Sequence, residues 1–595
     1  MTATERTAYV DLATGTVRVE AIPPEKRRRL LGGRGLNIEQ VARTAKDTDP
    51  LAPDSVVSIG AGLLAGMLAP GACRTTIAAT SPLTGYLANA DLGGFFAPEL
   101  RRAGFDQLVI TGRAKKPAIV LVRNGRITLH SASLVWGRNI PETQEILRKY
   151  FEDDDIQTLC IGPAGENKVR FATVSTRHHG ASRQGGIGAV FGSKNLKAVV
   201  AKGHGGMPIA HPEEALALDL EMTRRIAAAR LPASDSLSAQ QEAEDLFAEQ
   251  TIGPEGCYGC QANCERRFAI RRGRHAGTFG YAPREFVSAV WAELFGRPNP
   301  EAILYANYLV NALGLDSLET AGLVSWAIDL SARGILTDEE TGGFDVTAEA
   351  DSVNKLIELI AARKGLGEFL AEGGARAAAK LGRSSGLFLR ETKGMMDALV
   401  QRGTSPWQAL GTATASVASD HSRFQPSNDP ETNPAWLNTG TTVPGIEHGP
   451  ASDDLYSKSP SQVFQAEMFG MCLDMLGICD FQSVLFGPGL PGFEEFSRLL
   501  AVNMGIEMSP REMREAAERA SNMERLFNLR QGYNPGSEKL GNWYYPNSET
   551  DREPLDETRF NGSLSRYYAL RGWDANGIPA NETLKRLGIE SMRVS

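Results

Sequence analysis

The sequence lacks any run of about 18 apolar residues that could cross a bilayer, and its first residues place no apolar core behind a basic stretch. A cytoplasmic protein without membrane contact is therefore expected. Positive charge is not in excess either: 63 Lys and Arg against 71 Asp and Glu give a formal charge of -8. Nucleic-acid binding rests on a basic face that displaces counterions, so no nucleic-acid partner is expected. The compact basic run Lys26-Arg27-Arg28-Arg29 reads as a solvated helix face or, less simply, as a contact for an anion or a partner. Seven cysteines in 595 residues without a secretory start do not make a disulfide framework. No internal repeat, low-complexity tract or P-loop is evident. The glycine run Gly186-Ile-Gly188-Ala-Val-Phe-Gly192 has one residue too many for a dinucleotide fingerprint, so pyridine nucleotide should not bind directly.

What remains is the profile of a globular chain, 42% hydrophobic and 23% charged, long enough for roughly two to four domains. An α+β fold is expected. Residues 1–205 carry short β-type runs such as Leu108-Val-Ile-Thr111 and Ala118-Ile-Val-Leu-Val122 between turn residues, and read as a β-rich domain. From about residue 210 the apolar spacing becomes helical, as in Pro300–Leu315 and Ala348–Leu381, giving two mainly helical domains over 206–415 and 416–595. Gln425 to Pro460 reads as a long loop, and the chain after Arg530 as an irregular aromatic tail wrapped over the body.

The cysteine spacing is more telling than the count. Cys257-Tyr-Gly-Cys260-Gln-Ala-Asn-Cys264 puts three thiols on one tight loop and requires a fourth ligand from elsewhere. Soft thiolates select zinc or an iron-sulfur cluster. No second cysteine pair accompanies the loop, which favours a cubane, with zinc or unligated core thiols as the alternatives. Cys479 is the better fourth ligand, because Cys472 lies in an apolar stretch; Cys73 and Cys160 read as small core residues.

The segment Asp474-Met-Leu-Gly477-Ile-Cys479 resembles an element of the aldehyde:ferredoxin oxidoreductase family that holds one pterin and the fourth cluster ligand. That family's companion element is similar to Asn311-Ala-Leu-Gly314-Leu-Asp316, where Asn311 replaces an Asp and retains an amide acceptor. The likeness continues along the chain through Gly32-Gly33-Arg34-Gly35-Leu36, Arg74-Thr-Thr, Ser81-Pro-Leu-Thr-Gly85, Gly93-Gly94-Phe95, Gly162-Pro-Ala-Gly-Glu-Asn167, Gly185-Gly186-Ile-Gly188 and Tyr567 to Asp574.

The resemblance implies a tungsten (or molybdenum) bis-pterin cofactor beside one 4Fe-4S cluster on Cys257, Cys260, Cys264 and Cys479. It implies cofactor contacts from Arg74, Gly93, Gly94, Arg183, Gly185, Gly186, Asn311, Asp316, Asp474 and Gly477. Glycine admits close backbone approach and arginine offers a planar charged fork, which suits phosphates and flat polar rings. It further implies that an aldehyde is oxidised to a carboxylic acid, with His421 and Glu285 as candidates for the acid-base work that adding a water-derived oxygen requires. Electrons would pass through the cluster to ferredoxin or an iron-sulfur subunit, and an oligomer is expected. Arg266, Arg267, Arg271 and Arg272 could form a docking face for an acidic carrier.

Some segments depart from the family pattern. Arg183 stands one position early, before Gln184-Gly185; Gln401 to Pro406 and Tyr533 to Pro546 replace its usual elements. Substrate therefore stays open, with the tungsten subunit of a ring-reducing aromatic acyl-CoA reductase as the second reading and a non-catalytic iron-sulfur or zinc protein as the third.

Overall fold

The computed structural model describes residues 5–176, 184–228, 247–283, 286–295, 299–397, 405–418, 454–485, 490–538 and 555–593. The fold is α+β. Residues 6–202 hold two sheets, and the later chain is mainly helical. No helix among the described residues is long and apolar enough to cross a membrane.

The first sheet is built from β1 (Arg6–Asp11), β2 (Thr16–Ala21), β3 (Val57–Ala61), β4 (Thr75–Thr80), β5 (Leu87–Leu92) and β6 (Gln107–Thr111), in the order β2-β1-β6-β3-β4-β5. The second contains β7 (Ala118–Arg123), β8 (Arg126–Ser131), β9 (Gln157–Ile161), β10 (Val174–Ser175) and β11 (Leu196–Lys202), in the order β8-β7-β11-β9-β10. The two share one plan. Each begins with an antiparallel hairpin, β1 with β2 and β7 with β8. The last strand of each set, β6 or β11, lies parallel to the first and antiparallel to β3 or β9. β3 and β9 then pair antiparallel with β4 and β10. The frame is thus duplicated although the sequence shows no repeat. Apolar residues of both sheets, among them Val10, Ile59, Ile77, Val120, Leu159 and Val199, share one core.

Two long helices end on this frame at matching places. Helix Leu455–Leu476 stops at Gly477 (φ 82°) and helix Pro300–Leu313 at Gly314 (φ 76°), both left-handed caps that favour glycine. Gly477 lies so close to Gly62, just after β3, that a Cβ on Gly62 would stand 2.0 Å from the Gly477 Cα. Likewise a Cβ on Gly162, just after β9, would stand 2.3 Å from the Leu313 carbonyl oxygen. Backbone bonds seal both contacts: Cys73 N–H and Arg74 N–H donate to the Gly477 oxygen at 2.9 and 3.0 Å, and Thr173 N–H to the Gly314 oxygen at 2.9 Å. Bridges Ala72 to Ile478 and Ala172 to Leu315 complete the match.

Three expectations change. The run Lys26 to Arg29 is less solvated than a free helix face, with only Arg28 of the four exposed. Arg27 is buried against Asp106, at 2.5 Å, and Lys26 pairs with Glu39 at 2.7 Å. Arg28 reaches the Glu507 carbonyl and Glu512, and Arg29 the Gly588 carbonyl, so the run ties the β-frame to the C-terminal helices. The expected loop from Gln425 to Pro460 ends by Asp454, since Leu455 to Pro460 already belongs to helix Leu455–Leu476. Proline removes the N–H that would bond the carbonyl four residues back. That carbonyl, on Tyr456, instead accepts from Ser563 Oγ at 2.6 Å, which relieves the conflict. The tail is also less irregular than expected, holding helices Glu557–Leu570 and Asn581–Leu587.

Because neither contact has room for a methyl group, Gly62→Ala and Gly162→Ala should each destabilise the fold by about 2 kcal/mol or more. Thermal unfolding that stays within a degree of the parent for both would disprove the close-contact argument.

Candidate cofactor and redox site

The three-cysteine loop lies between β12 (Thr251–Glu255) and β13 (Glu265–Ala269), which form a small antiparallel sheet with β14 (Phe279–Pro283). Gly259, left-handed at φ 63°, turns the loop. Its backbone oxygen accepts from Gly71 N–H at 2.8 Å, and Tyr258 N–H donates to the Gly94 oxygen at 3.2 Å. The loop is thereby fastened to the β3–β4 connection and to the glycines after β5. Cys479 enters from the far side, its N–H donating to the Gly71 oxygen at 3.1 Å.

The four thiols are near enough to perturb one another. Cys264 is pushed up to about 12 by burial, with Glu265, Cys260 and Cys257 adding to the effect. Burial also raises Cys479, reinforced by Asp480, Cys260 and Cys264 and opposed by Arg74. Such thiols ionise only when a cationic group binds among them. Cys73, read from sequence as core, is buried here with its thiol hydrogen-bonded to Cys257. Cys160 and Cys472 are core residues as expected.

Arg74 joins this group to its surroundings. Its Nη2 donates to Cys479 Sγ at 2.9 Å and to Asp480 Oδ1 at 3.3 Å, and its Nε lies 3.4 Å from Asp91 Oδ2. Asp91 is pushed up to about 8 by burial, with Asp474 and Asp480 adding and Arg74 opposing. Arg34, from the opening glycine element, makes a two-pronged ion pair with Glu524 at 2.5 and 2.7 Å and reaches Asp474 Oδ2 at 2.9 Å. Burial raises the Asp474 pKa, against the pull of Arg34 and Arg74. Asp474, Gly477 and Cys479 are thus drawn together with Arg74.

The companion element sits on the second half of the frame. Asn311 lines a cavity of about 280 Å³ with Ser175, Thr176, Gln144, Tyr281 and Tyr308. Asp316 caps helix Ser317–Ala332 by accepting from Leu318 N–H and Glu319 N–H, and also accepts from Gln184 N–H at 3.3 Å. Gly185 and Gly186 are left-handed at φ 61° and 89° and open helix Ile187–Ser193, where a Cβ on Gly186 would stand 1.9 Å from the Arg170 oxygen. Thr176 Oγ1 donates to the Gly93 oxygen at 3.2 Å, joining the ends of β10 and β5.

Around that junction several buried polar atoms have no hydrogen-bond partner among the described residues: both amide atoms of Asn89, Asp91 Oδ1, Thr173 Oγ1 and Ser175 Oγ. Asn89 and Asp91 share one face of β5, and Thr173 and Ser175 one face of the β10 segment, because alternate residues on a strand point the same way. Buried polar groups are normally satisfied, so this set suits a polar ligand with several donors and acceptors. Sequence reading missed these residues; the polar-apolar-polar pattern of Asn89-Ala90-Asp91 beside Gly93 was the available signal. Arg183, Glu285 and His421 lie outside the described residues.

Comparison with known proteins decides the family. The model of the N-terminal domain of aldehyde ferredoxin oxidoreductase matches residues 7–203, and that of its domains 2 and 3 matches residues 217–589. The chain belongs to the aldehyde ferredoxin oxidoreductase family. This family member is an oxidoreductase, and a tungsten-containing aldehyde ferredoxin oxidoreductase of Pyrococcus furiosus is 30% identical to it over 98% of each chain. The WOR-like subunit of an aliphatic sulfonate oxidoreductase from the same organism is 27% identical, over 98% of this chain and 96% of that one. Among solved structures, the BamBC active-site complex of benzoyl coenzyme A reductase with 1,5-dienoyl-CoA superposes with a TM-score of 0.87, at 24% identity, over 99% of this chain and 98% of that one; this likeness concerns the fold.

In this family member, Arg34→Met would leave Asp474 and Glu524 buried without their cation, a loss of about 3 kcal/mol or more. The deficit should shrink on acidification. Burial raises the Asp474 pKa in the folded state, so its penalty is absent below the unfolded carboxyl's pKa, grows as pH rises from there towards the folded-state value, and is constant above it. Denaturant melts at two pH values check this, and an equal loss at both would contradict it.

Proposed function

We propose that the protein is a tungsten- (or molybdenum-) bis-pterin oxidoreductase that oxidises an aldehyde to a carboxylic acid and passes the electrons through one 4Fe-4S cluster to ferredoxin or an iron-sulfur partner. The observation that carries this reading is the meeting of Cys479, Arg74 and Asp474 at the cap of helix Leu455–Leu476, directly beside the three-cysteine loop. One residue stretch there serves both a cluster and a neighbouring polar ligand.

The residues fit such groups. Cys257, Cys260, Cys264 and Cys479 supply the four thiolates of a cubane. Asn311, Asp474, Arg74 and the orphaned atoms of Asn89, Thr173 and Ser175 can meet the polar edges of pterin rings and their phosphates, with Gly93, Gly94, Gly185 and Gly186 admitting them closely. Asp316, held by its cap, orients that element. The bound metal supplies the two-electron chemistry, and the overall change adds water oxygen to the aldehyde carbon while releasing two protons and two electrons. His421 and Glu285 are the residues proposed to move the protons, with Arg183 near the pterins.

Electrons would leave where the three-cysteine loop approaches the surface. Of the proposed docking arginines, Arg266 donates to the Asn263 carbonyl, Arg267 pairs with Glu255 and Arg271 donates to the Glu249 carbonyl, while Arg272 is exposed. These ties leave a modest basic rim suited to an acidic carrier. An oligomer and a cytoplasmic location complete the reading.

A second reading, reduction of an aromatic ring carried as its CoA thioester, draws on the fold likeness to benzoyl coenzyme A reductase. Dye reduction by a panel of aldehydes separates the two, since inactivity on all of them by protein carrying both metal and cluster would reject the aldehyde reading. Protein containing zinc, and neither tungsten nor molybdenum, would reject both. His421→Asn should retain metal and cluster yet lose at least about 100-fold in turnover, the usual scale of a general acid-base contribution. Cys264→Ser should lose the cluster's iron.

A further inference from the structure

Cys479 is followed by a single turn of 3-10 helix, Asp480–Gln482. With three residues per turn, positions i and i+3 stack on one side, so Gln482 falls on the same side as Cys479. Gln482 N–H donates to the Cys479 oxygen at 3.0 Å, closing that turn. The Gln482 side chain is 1% exposed and is clamped over Gly71, where a Cβ would stand 2.5 Å from the Gln482 Cγ. Its Nε2 donates to the sulfur of Cys260, 3.7 Å away on the three-cysteine loop, while its Oε1 has no partner among the described residues. One turn thus offers a thiol through its first residue and a hydrogen bond to a different thiol through its last.

We propose that Gln482 is a positioning residue for electron transfer, whose amide N–H to the Cys260 thiolate raises the reduction potential of the cluster. The inference rests on the cluster assignment above. Reduction adds a negative charge to the cluster, and donors to its sulfurs stabilise the more negative state. Cys260 also accepts from Asn263 N–H at 3.4 Å, so loss of Gln482 removes one of two donors among the described residues. Arg74 plays the corresponding part at Cys479, as a cation. Cys73 does so at Cys257: a ligating Cys257 carries no proton, which makes Cys73 the donor.

The test is a potentiometric titration of the full-length holoprotein, followed by the electron paramagnetic resonance signal of the reduced cluster. Gln482→Met keeps the length and apolar stem but removes the donor. Gln482→Glu is isosteric and replaces the donor with a charge at pH 8, so it carries the test should the Met variant not fold. With iron and sulfide content unchanged, the midpoint should fall in Met and fall further in Glu. A midpoint equal to or above the parent's in either folded variant would overturn the role of Gln482. Parent protein that contains no cluster iron, or Cys260→Ser that keeps its cluster unchanged, would instead refute the ligand assignment.

Discussion

The architecture depends on two places where backbone touches backbone with no side chain between. Gly62 meets Gly477, and Gly162 meets the Leu313–Gly314 peptide, so each long helix ends flush against one copy of the β-frame. The contact distances leave no space for a Cβ, and the left-handed caps favour a residue without one. Four of the residues proposed to bind cofactor or cluster are placed by these ends. Asp474 and Cys479 stand three residues before and two after one cap, and Asn311 and Asp316 hold the same places around the other. The duplicated strand order brings the two elements into equivalent positions.

Charge is then arranged around one of the two caps. Arg34 binds Glu524 with both prongs and holds Asp474, while Arg74 spans Asp91, Asp480 and the Cys479 sulfur. Paired cations make it tolerable to bury several carboxylates beside thiols that must ionise. The Asp91 and Asp474 pKa values, raised first by burial, mark a cost that these cations leave uncompensated. A ligand bringing its own donors would relieve it, and the unpartnered Asn89, Thr173 and Ser175 atoms point to the same need.

Much of this was legible in the sequence, for physical reasons that differ from one feature to the next. Three cysteines within eight residues declare a tight thiol loop by spacing alone, and the change from alternating to helical apolar periodicity announces the α+β division. Pairing Cys479 with that loop across some two hundred residues rested on the apolar setting of Cys472, the other candidate, and on the family resemblance. The duplicated frame was invisible: it preserves strand order and two glycines rather than side chains. Lys26 to Arg29 looked solvated because Glu512 and the Gly588 carbonyl, which they meet, lie hundreds of residues away. Helix start Leu455–Pro460 was hidden by its proline, whose missing donor is compensated by Ser563 from another helix. Cys73 looked like core because a lone thiol carries no spacing information.

The two halves of the frame are alike in topology but carry different chemistry just beyond their caps. After Gly477 comes a sulfur, Cys479, in contact with Arg74; after Gly314 comes a carboxylate, Asp316, committed to capping a sixteen-residue helix. With the proposed cluster bound, only the half that ends in a thiol would hold a redox group. A cradle of symmetric strand order would thereby have one live terminal, its counterpart being occupied with holding a helix.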